Sequence, residues 1–214
     1  MSFVPDLAVL ASFTLAAIVL IITPGPDMTL QLSKTLVHGR VAGWVCFAGA
    51  VAGIVVHTVL AAIGVSVLLA TSPTAFLALK VLGAGYLVWL AVDAIRNGSA
   101  LSLEEGTAPD VPLRKLFAQA VLTNLLNPKV VLFFVTFLPQ FVSASDPAAT
   151  GKLFFLGLYF VILSLPFGIG MVASAGMISR ALKRSPRAVR AFDWLFAGVM
   201  GTFAVKLLAA RAAV

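Results

Sequence analysis

The chain has 214 residues, of which 61% are hydrophobic and only 11% charged, with a mean hydropathy of +1.08. A soluble domain covers its surface with roughly 25% charged residues, so this composition excludes an ordinary water-facing exterior and implies a lipid-facing one. A net charge of +7 on a soluble protein would point to nucleic acid; here the basic residues fall between apolar runs, where membrane topology explains them and no nucleic-acid partner is expected.

Met1 to Pro5 carries no Lys or Arg, unlike the positive start of a signal peptide, so the first apolar run is read as a retained helix. Leu7 to Pro26 contains no Asp, Glu, Lys or Arg and forms a first span, ending in Thr23-Pro24-Gly25-Pro26-Asp27. A further helical stretch, Met28 to Val37, precedes His38-Gly39-Arg40. Val41 to Leu79 is again uncharged and too long for one span; it divides at the turn cluster Thr71-Ser72-Pro73-Thr74 into a second span (to Ala70) and a third (Ala75 to Ile95). Residues 98–112 form a polar loop. Arg114 to Phe141 is a fourth segment, interrupted by Asn127-Pro128-Lys129. Leu153 to Ser179 is a fifth span, with an expected interruption at Pro166-Phe167-Gly168-Ile169-Gly170. A basic loop over Arg180 to Arg190 leads to a sixth span around Trp194 to Ala210.

At ~20 residues per span, 214 residues hold about six spans and no separate soluble domain. The expectation is an all-α membrane protein, one domain over 1–214, with halves of about 1–97 and 113–214 joined by loop 98–112. Each half opens with a Pro-interrupted segment followed by two more spans. Three spans per half would make the halves an inverted 3+3 repeat with broken first and fourth segments, and paired broken helices point to a transporter site. The sole cysteine, Cys46, excludes an internal disulfide. No ligand cluster suggests a metal, no cofactor is implied, and no nucleophile–base motif suggests an enzyme.

Orientation follows from Lys and Arg, which cytoplasmic loops retain. Lys34, Arg40, Arg96, Arg114, Lys115, Arg180, Lys183, Arg184, Arg187 and Arg190 fall on one side; only Lys152 and Arg211 fall on the other. Both termini are therefore expected on the periplasmic side.

The breaks carry the candidate site. Pro24 and Pro26 lack amide donors and Gly25 permits a turn between them, so one half-helix ends in unpaired carbonyls and the next begins with unpaired amides near Asp27 and Met28. Irregular backbone at membrane depth is tolerated where it lines a cavity; the competing reading is a simple helix end. Asn127 is placed as an N-cap and Pro128 as the first helical residue. Lys129 then either attracts a carboxylate, together with the helix N-terminus, or serves a structural role by snorkelling or pairing with Asp27. Gly49, Gly53 and His57 share one face of the second span. His57 is a candidate for proton transfer, or a residue hydrogen-bonded to a neighbouring helix.

The ordered set Pro24-Gly25-Pro26, Gly39-Arg40-x-x-Gly43, Lys80-x-x-Gly83-x-x-Tyr86-Leu87-x-Trp89-Leu90, Asn127-Pro128-Lys129, Phe133-Phe134 and Leu138-Pro139-Gln140-Phe141 resembles the LysE/RhtB family of amino-acid exporters, the lysine and homoserine/threonine efflux group. The resemblance covers nearly the whole chain. It implies secondary export of amino acids across the bacterial inner membrane, driven by the proton gradient, and leaves the cargo open. A neutral or mildly polar amino acid is the leading expectation; another small solute or a metal ion is the alternative. The substrate-binding candidates are Thr23, Pro24, Gly25, Pro26, Asp27, Asn124, Asn127, Pro128 and Lys129, and the proton-coupling candidates are Asp27 and His57. A homo-oligomer is among the partners the sequence leaves open, beside the amino-acid substrate, protons and the lipid bilayer.

Overall fold

The computed structural model describes residues 3–23, 25–65, 73–97, 111–143 and 146–209. Among these the ordered elements are all helical. Helix α1 spans Leu7–Ile22 and is capped by Asp6, whose carboxylate accepts from the Val9 amide at 2.9 Å. Helix α2 spans Pro26–Leu60, continued by a π-helical turn over Ala61–Val65. It is two helices joined at Gly39, where φ of 83° is a left-handed value that a residue without a Cβ adopts freely. The boundary expected at His38-Gly39-Arg40 is thus a bend rather than a loop.

Helix α3 spans Pro73–Asn97, α4 Leu113–Leu125 and α5 Pro128–Leu132. Helix α5 runs on through a π-helical segment, Phe133–Phe137, and a 3₁₀ turn, Leu138–Phe141. Helix α6 spans Ala149–Arg184 and α7 Pro186–Ala209. The most extensive packing is of α2 on α4, of α3 on α7, and of α2 on α6.

Two sequence expectations are corrected. The interruption expected at Pro166 to Gly170 does not break α6, which is helical through it. A proline removes one donor, yet helices in apolar surroundings tolerate it when neighbouring groups absorb the freed backbone. The basic stretch Arg180 to Arg190 is likewise not a loop: α6 continues to Arg184 and only Ser185 separates it from Pro186, the first residue of α7.

By length and composition, Pro26–Gly64 and Ala149–Arg180 are each able to cross a membrane. The bent pair Leu113–Leu125 and Pro128–Phe141, at 48°, makes a third if it is one span, and Leu7–Ile22 is a shorter apolar helix. The outer surface is apolar, with Leu7, Leu15, Leu82, Trp89, Ile162 and Val205 exposed. Burying none of these against protein is consistent with a lipid-facing surface. The interior is an aromatic cluster in which Phe13, Phe133, Phe134, Phe137 and Phe160 pack with ring centroids 5.2–5.9 Å apart. This core fixes α1, α5 and α6 around the two breaks.

Candidate functional site

The two helix breaks meet. Helix α1 ends at Ile22, and its last carbonyls have no helical partner. Lys129, from the other break, reaches them: its Nζ donates to Leu20 O at 3.1 Å and to Thr23 O at 2.8 Å. Lys129 is 7% exposed, so these bonds hold a buried cation. The Thr23 hydroxyl turns back to Val19 O at 2.5 Å. A Cβ at Gly25 would stand 3.3 Å from Lys129 Nζ, so the absent side chain gives the ammonium its room. Pro26 opens α2 at its first position, and no side chain caps this N-terminus. Pro24 lies outside the described residues.

The second break supplies its own partners. The Asn127 side chain caps α5 by accepting from the Lys129 amide at 3.1 Å, and Pro128 occupies the first helical position, where no donor is needed. The Asn127 amide nitrogen then donates to Asp27 Oδ2 at 2.6 Å, and Asn124 Nδ2 donates to the same oxygen at 3.0 Å. One carboxylate oxygen of Asp27 is therefore held by two amides from the opposite break. The other, Oδ1, is buried and receives no hydrogen bond. Asn124 Oδ1 is also without a partner and packs on Gly53, whose missing side chain allows that approach.

A cavity of about 510 Å³ opens beside this junction. Of the sequence candidates, Asp27, Asn124 and Lys129 line it; Thr23, Gly25, Pro26, Asn127, Pro128 and His57 do not. Most of the remaining wall is apolar, with Leu20, Ile54, Phe47, Phe160, Phe167 and Met171 among the lining residues, and Gln31, Ser164 and Ser174 supply further polar groups. Gln31 donates to Gly168 O at 3.2 Å, which ties the first half of α2 to α6. Gln31 and Phe47 carried no sequence signal of a site, since neither lies in a break or a motif.

His57 donates through Nε2 to the Asn124 carbonyl at 3.3 Å and stacks on Phe134, with centroids 5.7 Å apart and planes at 27°. This is the arrangement of a histidine bonded to a neighbouring helix. The carbonyls expected to stand unpaired at the end of α1 are in part paired: Lys129 bonds two of them, those of Leu20 and Thr23. The reason is proximity, because the break that presents carbonyls abuts the break that presents a cation.

Residues 18–211 match the family model described as LysE type translocator. An uncharacterized membrane protein of Vibrio cholerae is 31% identical over 209 residues, covering 97% of this chain and 100% of its own. A leucine efflux protein of Klebsiella pneumoniae is 28% identical over 202 residues, covering 92% of both chains. A homoserine/homoserine lactone efflux protein of Salmonella typhimurium is 28% identical over 200 residues, covering 94% of this chain and 96% of its own. No solved structure matches.

Proposed function

This chain belongs to the LysE type translocator family, and on that premise we propose that it is a secondary exporter moving small amino acids, neutral or mildly polar, out of the cytoplasm. The family places it among membrane transporters rather than enzymes. The observation that carries the reading is the cavity at the meeting of the breaks, where Asp27, Asn124 and Lys129 stand in a mostly apolar wall. Its volume of about 510 Å³ falls within the ~300–1,000 Å³ of small-molecule sites. Ionisable groups in such surroundings are costly and mark substrate or ion pathways.

The substrate's ammonium pairs with the Asp27 carboxylate, and the substrate's carboxylate faces the first turn of α2, which no side chain caps. Asp27 also carries the coupling proton: a proton and an ammonium compete for the same oxygen, so binding one releases the other and the exchange is an antiport. His57, already committed to the Asn124 carbonyl, is a positioning residue in this scheme. Thr23, Gly25, Pro26, Asn127 and Pro128 shape the breaks. A metal cargo is disfavoured, because several anionic or imidazole ligands would be needed and the described wall offers one carboxylate.

In the same reading six spans cross the inner membrane: α1, α2 beyond Gly39, α3, the bent α4–α5 pair, α6 and α7. The halves 1–97 and 113–214 are inverted copies, and both termini are periplasmic. The paired breaks and the ten-to-two distribution of loop Lys and Arg support this. An alkaline phosphatase fusion at Val214 is expected to be active; inactivity there, with activity of a cytoplasmic reporter, would reverse the topology.

The central test uses purified protein in liposomes. Labelled leucine and homoserine are expected to move against an imposed proton gradient, and to stop when it is collapsed. Transport of neither would overturn the exporter reading, and transport indifferent to the gradient would overturn antiport. His57→Ala is expected to retain proton-driven movement.

A further inference from the structure

We propose that Phe47, seated against Gly168, sets how bulky a side chain the cargo carries, so that two residues outside both helix breaks determine specificity. This rests on the exporter reading and deepens it, from the class of cargo to the residues that select among its members.

Helices α2 and α6 approach closely at three levels, each made by a missing side chain. A Cβ at Gly43 would stand 3.2 Å from Val172 Cγ2. One at Gly168 would overlap the ring of Phe47 at Cδ2, Cε2 and Cζ, and one at Gly157 would overlap the side chain of Thr58. The order of these contacts makes the two helices antiparallel. Ala50 and Ile54 on α2, and Phe160 and Ser164 on α6, fall between the second contact and the third, and all four line the cavity. Met171 and Ser174 continue the wall beyond Gly168, and Phe47 and Gly168 are themselves part of it. The ring on its glycine is therefore a waist in the apolar wall.

The α6 side of this waist is held in place. Gly168 O accepts from Gln31 Nε2 at 3.2 Å, so the first half of α2 braces the same turn whose open face receives the ring. The movable part is the ring. Trp44 flanks it in an edge contact, with centroids 6.5 Å apart, and the cavity is the space open to it. A side chain at position 168 drives the ring into the cavity and narrows it, whereas removal of the ring widens it, because close-packed helices do not collapse fully into the gap. The polar junction lies elsewhere: Asn124 packs on Gly53, more than a turn along α2 from Phe47. The charged head of a cargo and the bulk of its side chain are thus read by different residues.

The test is calorimetric binding of alanine, leucine and tryptophan to the purified full chain, read as ratios of affinity, which a merely structural loss would leave unchanged by weakening all three together. Phe47→Ala is expected to raise tryptophan relative to leucine by about tenfold, the scale of one or two further buried methylenes. Gly168→Ala is expected to lower leucine relative to alanine by about tenfold, the scale of overpacking. In the double variant the new Cβ meets no ring, so the leucine-to-alanine ratio should return to within about threefold of the parent's. The proposal is overturned if Phe47→Ala leaves the ratios unchanged, if the double variant shows the two single effects merely added, or if no member of the series binds the parent. Should Gly168→Ala alone fail to fold, recovery of folded protein in the double variant supports the contact, and the Phe47→Ala ratios decide if the double variant fails too. Ratios that shift as expected, with no transport in liposomes, would sink the exporter reading and leave the waist standing; transport with unshifted ratios would do the reverse.

Discussion

The break after α1 and the break between α4 and α5 begin from similar sequence, a proline flanked by small or polar residues, yet they solve the same backbone problem in opposite ways. The second is nearly self-sufficient. Asn127 caps α5, the Asn127 amide bonds Asn124 O at 3.0 Å, and the Val130 and Val131 amides return to Asn127 O at 3.0 Å each. The first has no side-chain cap on α2, and its outgoing carbonyls depend on Lys129. The second break is therefore a frame and the first a dependent edge resting on it. Asp27 Oδ1, buried and without a donor, and the uncapped N-terminus of α2 both lie on this dependent edge.

The largest expected effect comes from Lys129→Met, which keeps length and removes the ammonium. Two charge-assisted bonds are lost and two buried carbonyls stranded, a cost of about 3 kcal/mol or more, together with loss of export. Thermal unfolding in detergent measures it. An unfolding temperature equal to that of the parent would mean that the first break is as independent as the second.

Next, Asp27→Asn is expected to lower export by about tenfold or more, the scale of one charged hydrogen bond. Asp93→Asn at matched membrane expression should change it far less, since Asp93 on α3 does not line the cavity. Equal losses would remove Asp27 from its special position.

Asn127→Ala probes the frame itself. Loss of an N-cap costs about 1 kcal/mol, and here it also removes one of the two amides on Asp27 Oδ2. Unfolding should report the cap and transport the amide. A stability loss as large as that of Lys129→Met would show the two breaks to be equally fragile.

The smallest effect, outside both breaks, sets the baseline. Asp146 accepts from Lys152 Nζ at 2.5 Å and from the Ala148 amide at 2.8 Å, and these partners hold its carboxyl below the usual carboxylate range. A depressed carboxyl contributes stability above its unfolded pKa and loses it as pH falls through the folded one. Asp146→Asn should therefore slightly destabilise the protein at neutral pH and be indistinguishable in acid, with transport unchanged throughout. A transport defect would extend the functional region to this turn.

Much of the fold was legible because it depends on local chemistry. Too few charges for a water-facing surface, missing proline donors, and Asn before Pro as a cap all act within a few residues, and they located both breaks and the membrane character of the chain. What the sequence could not rank was the fate of similar signals. Pro166 looks as disruptive as Pro128, but α6 is helical through it, while α5 starts at the other. Gly53 reads as helix packing in general; that it makes room for Asn124 depends on how α2 crosses α4.

Lys129 shows where the boundary lies. Its sequence context allowed a ligand contact, an ion pair with Asp27, or a structural anchor. Only the tertiary structure, by bringing residues 20 and 23 to residue 129, chose the carbonyls of α1. A side chain's valence is local, but its partners are set by distances between segments more than a hundred residues apart. The chain by itself therefore determined that a buried cation and a buried acid exist, and packing decided which of the two was left with a free atom.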